Sequence, residues 1–68
     1  MVIYPDLDIY QNEVIDELRE LGAAEHQSAE GWFAFQRATT NDLKLGIRPQ
    51  ACAQTLMAGG IIEKASAT

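Results

Sequence analysis

A chain of 68 residues, 47% of them apolar, makes one domain over residues 1–68 with enough apolar content for a single core, which excludes a disordered chain. No apolar run nears the roughly 18 residues that span a bilayer, and the lone Cys52 excludes an internal disulfide. The net charge of −5 disfavours a simple phosphate-binding surface.

Taken in order, residues 1–4 are a short apolar run that reads as an edge strand ended by Pro5. Asp6 or Asp8 caps a helix and complements its dipole. Leu7, Tyr10, Val14, Leu18 and Leu21 recur at steps of three and four, which predicts an amphipathic helix from about residue 8 to residue 21. Its outer face carries Glu13, Asp16, Glu17 and Glu20, and Gly22 stops it. Residues 23–27 read as a weak strand and residues 28–31 as a turn by composition. Residues 32–37 are the best strand signal in the chain, with three aromatics in four positions. Alternation along a strand puts Phe33 and Phe35 on one face, assigned to the core, and Trp32, Ala34 and Gln36 on the other. With the preceding segment this makes a β-hairpin.

Thr39 or Thr40 then caps a short helix through Leu45, broken by Gly46. Pro49 suits the first position of a terminal helix, Gly59 suits the residue just past its end, and Gly59 or Gly60 is expected to be left-handed there. Ala53, Leu56 and Met57 form a small apolar face bordered by Cys52. Residues 61–63 close the chain as a strand, and residues 65–68 fray. The expected core is Leu18, Phe33, Phe35, Leu56 and Ile61. The predicted fold is α+β and winged-helix-like, in the order helix, β-hairpin, helix, turn, helix, strand, because two short helices joined at a glycine make a helix-turn-helix and strands lie beside them.

Little of the chain reads as chemistry. His26 and Cys52 are the only soft metal ligands, too few for a structural zinc site. Asp6 and Asp8 are explained by helix capping more simply than by Mg²⁺. No glycine pattern matches a phosphate loop, no serine–histidine–acid set is present, and nothing in the sequence places a base near Cys52. The expectation is a chain that is not an enzyme and has no metal and no cofactor. With no targeting signal (Asp6 and Asp8 interrupt the place of an apolar signal core), a reducing cytoplasm is the expected compartment, with no membrane partner.

Charge is unevenly placed. Residues 1–30 carry eight acids against Arg19 alone, while residues 31–68 carry Arg37, Lys44, Arg48 and Lys64 against Asp42 and Glu63. Arg37, Lys44 and Arg48 stand at the ends of predicted elements and are expected to converge on one side, opposite the acidic helix. Trp32 either joins the core or, with the phenylalanines inside, is an exposed contact for a protein or an unstacked base.

The series Gly31-Trp32, Arg37, Gly46-Ile47-Arg48-Pro49, Ala53, Leu56 and Gly59-Gly60-Ile61-Ile62 resembles the C-terminal winged-helix-like module of phage and mobile-element primase–helicase proteins, over about residues 8–64. The first helix here is more acidic than that pattern. The resemblance implies an accessory role in binding DNA or another replication protein.

The expected function is therefore a non-catalytic binding module of a phage or mobile-element protein, docking nucleic acid weakly or a replication protein through Trp32, Arg37, Lys44 and Arg48. One alternative is a small acidic phage-encoded inhibitor of a host protein, anti-CRISPR-like, in which Glu13, Asp16, Glu17 and Glu20 mimic DNA phosphates. Another is a homodimer that uses its helical faces.

Overall fold

A computed structural model describes residues 5–66 and holds three helices: α1 (Pro5–Glu20), α2 (Ala29–Leu45) and α3 (Pro49–Ala58). Among the described residues there is no strand, only an isolated antiparallel bridge between Ala23 and Lys64. The fold is all-α, and the α+β winged-helix-like expectation is overturned.

The first helix is close to its sequence reading. Tyr10, Val14 and Leu18, one turn apart, are its buried positions. Asp6 and Asp8 lie inside the helix, so neither is the expected N-cap, but both stand in the first turn and Arg19 in the last, as the dipole favours. Pro5 opens this helix instead of ending a strand. The predicted edge strand at residues 1–4 lies outside the described residues.

The largest correction is α2, which absorbs the predicted hairpin strand and the predicted short helix into one rod. Ser28 is its N-cap: the hydroxyl accepts a 3.1 Å bond from the Gly31 N–H, and the backbone there is extended. Gly31, Phe35 and Thr39, spaced by four, are the buried positions, with Ala34, Ala38 and Leu43 packed beside them. Thr39 caps nothing. Its hydroxyl donates back to the Phe35 carbonyl at 2.7 Å, the mid-helix bond open to threonine. Phe33 and Phe35 are two residues apart, hence on one face of a strand but on nearly opposite faces of a helix. Phe35 is 3% exposed and Phe33 71%, so Phe33 leaves the expected core.

Gly46 ends α2 in the left-handed conformation (φ 72°), and the Ile47 N–H reaches back to the Asp42 carbonyl at 3.0 Å. Arg48 is extended, and Pro49 starts α3. At the far end the left-handed residue is Gly60 (φ 79°); Gly59 keeps a helical φ of −69°. The expected closing strand at residues 61–63 is an irregular segment in which Ile62 is buried and Ile61 is 49% exposed, so Ile61 also leaves the expected core. Its backbone still meets residues 22–24. Ala24 N–H donates to the Glu63 carbonyl at 2.9 Å and Ala65 N–H to the Gly22 carbonyl at 2.8 Å. The segments read as strands do touch, but too briefly to form a sheet. Ala65 is held rather than frayed, and residues 67–68 lie outside the described part.

The core is Tyr10, Val14, Leu18, Phe35, Cys52, Ala53, Leu56 and Ile62. Helix α1 packs more extensively on α3 than on α2. The small side chains of Cys52 and Ala53, both wholly buried, suit that close approach. Polar groups join the elements at two places. The Tyr10 hydroxyl donates to the Ile47 carbonyl at 2.8 Å, holding α1 to the α2–α3 turn. The Gln11 amide donates to Gln36 Oε1 at 3.1 Å and to the Thr39 hydroxyl at 3.0 Å, holding α1 to α2. Among the described residues, no buried side-chain nitrogen or oxygen lacks a partner.

Candidate binding surface

The residues singled out by sequence fall at three separate places. The first is an apolar cavity of about 280 Å³ at the N-terminal end of α2. Ile15 and Leu18 of α1, Ala23 of the connection, Trp32 and Phe35 of α2 and Ile62 form most of its wall. Trp32 sits in the first turn of α2, fixed by the Ser28 cap. Its indole lies stacked on the buried Phe35 ring, with centroids 5.2 Å apart and planes 20° from parallel. Even so, Trp32 is 52% exposed. Gly31 allows the chain to close in beneath it: a Cβ there would meet Gln27 Oε1 at 3.2 Å and the Ile61 carbonyl at 3.5 Å. Arg19, Glu25 and Gln27 supply the polar lining. Arg19 also approaches Asp16 at 3.6 Å, an exposed pair worth little by itself.

The second place is the outward face of α2, a shallow groove lined by Phe33, Gln36, Arg37, Thr40, Asn41 and Lys44. Arg37 and Lys44 therefore share a face. The third is a depression between α1 and the start of α3, lined by Glu13, Asp16, Glu17, Arg48, Pro49 and Gln50. The expected convergence of Arg37, Lys44 and Arg48 is thus only partial. Arg48 stands among the acids of α1, because the Gly46 turn carries the chain from the end of α2 back to α1. Of the acidic set, Glu13, Asp16 and Glu20 are exposed and Glu17 is half-buried.

Sequence reasoning missed Phe33 as a surface residue and Gln27 as a structural one. The signal for Phe33 was present: Phe33, Arg37, Thr40 and Lys44 recur at steps of four, three and four, a helical stripe running through the segment read as a strand.

In the interior, Cys52 and Tyr10 lie together with Asp42 nearby. Burial pushes the Cys52 thiol up to about 12, and the hydrogen bond that the thiol donates to the Asp42 carboxylate, with the charge of that carboxylate, adds to the shift. Burial, and then the adjacent Cys52, raise the Tyr10 hydroxyl well above its ordinary value. Both groups stay protonated at neutral pH, the opposite of what an activated nucleophile needs. Among the described residues, no three histidine, cysteine or acidic side chains gather where a metal ion could be held. No helix of the described residues is long and apolar enough to cross a membrane. Set against protein-family profiles, curated proteins and solved structures, the chain matches none of them.

Proposed function

We propose that this chain is a non-catalytic module that docks a protein partner at the Trp32 cavity. The observation that carries the reading is Trp32 itself: half exposed, held flat by Phe35, and standing over an apolar recess. A wet aromatic beside an apolar hole is the arrangement from which interface anchors are made, because covering it removes apolar area from water at about 25 cal/mol per Å². A recess of about 280 Å³ is just smaller than ordinary small-molecule pockets, which begin at about 300 Å³. It suits one apolar side chain of a partner better than a cofactor.

Nucleic acid is the less favoured partner. Only Arg37 and Lys44 of the three cations share a face, and phosphate binding gains affinity by adding cations. The acidic-inhibitor reading is weakened as well, since Arg48 and Arg19 stand among the acids that would mimic phosphates.

Trp32 is the sole tryptophan, so its fluorescence reports on the site directly. Titration with short polar peptides that each carry one leucine or phenylalanine should shift or quench the emission saturably. Single- and double-stranded DNA should do so weakly, and only at low salt. Saturable sub-micromolar response to DNA, or no response to any peptide, would overturn the reading.

A further inference from the structure

The outer faces of α1 and α2 carry matching stripes of opposite charge. On α1, Ile9, Glu13, Asp16 and Glu20 recur at steps of four, three and four, and all four are exposed, Ile9 at 61%. On α2, Phe33, Arg37, Thr40 and Lys44 recur at the same steps and line the outward groove, with Phe33 71% exposed. At about 100° per residue, each set falls in one narrow stripe. The α2 stripe is opposite the buried Gly31, Phe35 and Thr39. Each stripe therefore starts with one large apolar side chain and continues with charge of a single sign.

We infer that the α2 stripe is a docking surface for the α1 stripe of a second copy of this chain, with the two helices parallel. In that register Ile9 meets Phe33, Glu13 meets Arg37, Asp16 meets Thr40 and Glu20 meets Lys44. The antiparallel register sets Ile9 against Lys44 and Phe33 against Glu20, so it loses the apolar contact. Arg19 and Arg48 lie near Asp16 and Glu13 and offset part of the acidic charge, which leaves the Ile9–Phe33 contact as the main contributor and the opposed charges as steering. A single helix pair covers less than the roughly 1,000 Å² of a stable interface, so the association is weak and steered by charge. The two surfaces differ, so the contact is heterologous and propagates head to tail unless it closes into a ring. The inference does not rest on the Trp32 cavity, whose lining is separate.

Sedimentation of the whole chain at millimolar concentration tests it. At low salt the weight-average mass should exceed that of the monomer and rise with concentration. At roughly 1 M salt, where the Debye length is about 3 Å, it should fall toward the monomer. Phe33→Ala with Arg37→Gln removes one surface, and Ile9→Ala with Glu13→Gln and Glu20→Gln removes the other. Each variant alone should be monomeric, while an equimolar mixture should give a one-to-one pair and nothing larger. Trp32→Ala should associate as the parent does, which separates this result from the cavity reading. Circular dichroism of each variant serves as the check that it is folded. A wild-type chain that stays monomeric at low salt, or folded variants whose mixture stays monomeric, would overturn the inference.

Discussion

The side-chain amide of Gln27 and the backbone of Glu63 exchange two hydrogen bonds across 36 positions of sequence: Nε2 donates to the Glu63 carbonyl at 2.9 Å, and Glu63 N–H donates to Oε1 at 2.7 Å. Nε2 also donates to the Ala24 carbonyl at 2.8 Å. One side chain thus acts as a short piece of strand, joining the segment after α3 to the connection before α2 and seating Ile62 in the core. These bonds are partly wet, so each contributes about 0.5–1.5 kcal/mol at most. Gln27→Ala should lower the urea midpoint by an amount equivalent to about 1–2 kcal/mol, with an unchanged slope. Hydrogen exchange at the Glu63 amide should accelerate more than exchange in α1. Unchanged protection at Glu63 would show that the clamp is not what holds this segment.

Phe35→Ala should cost about 3–5 kcal/mol, because it empties a site that is 3% exposed. For so small a domain that is most of its stability. Phe33→Ala should stay within about 0.5 kcal/mol of the parent, as a surface change does. Thermal melts of the two variants separate a helix from a strand at residues 32–37. Equal losses at both positions would restore the strand.

Gly60 is left-handed while its neighbour Gly59 is not. Gly60→Ala should therefore destabilise by about 1 kcal/mol. At Gly59 a Cβ would make only ordinary contacts, the nearest being the Thr55 carbonyl at 3.5 Å. Gly59→Ala should be neutral or should stabilise by about 0.4–1 kcal/mol through the unfolded chain. Denaturant midpoints check the pair, and the reverse order would place the left-handed residue one position earlier.

Alkaline pH should unfold this protein through Cys52 and Tyr10. Folding raises the Cys52 thiol from 9.0 to about 12, so the folded state holds a proton that the unfolded chain has released. The stabilisation is complete below pH 9 and is lost as pH rises toward 12, by up to about 1.4 kcal/mol per pH unit. Tyr10 adds a loss of the same sign above its ordinary value of 10.0. The urea midpoint should fall steeply above pH 9. In Cys52→Ala the fall should begin nearer pH 10, whatever the variant's stability at neutral pH. An identical pH profile in both proteins would remove the thiol from the account.

The sequence announces its helix ends more clearly than its middle. Pro49, Gly46 and the spacing of Tyr10, Val14 and Leu18 each encode one local fact, and each holds in the structure. Residues 32–37 carry two conflicting signals. Three aromatics favour a strand locally, whereas the cap at Ser28 and the buried spacing of Gly31, Phe35 and Thr39 favour a helix. The helix is favoured because it buries Phe35 against α1 and α3, and a local propensity scale does not include that packing. The candidate surface was half legible for the same reason. Trp32 is conspicuous as the only tryptophan, but the recess beneath it is built from α1, the connection and Ile62, which only the folded chain brings together.

Because α1 seats chiefly on α3, a helix pair that is not adjacent in sequence must meet before much of the core exists. A flexible chain closes such a loop at an entropic cost that grows by about 0.6 kcal/mol per doubling of length. Here the intervening 17 residues of α2 form a rod about 25 Å long, and the Gly46 turn reverses the chain at its end. The rate at which α1 finds α3 is then set by how often α2 is already helical. Arg37 is exposed on the outward side of that rod, so Arg37→Gly weakens the helix without emptying the core and should slow folding more than it speeds unfolding.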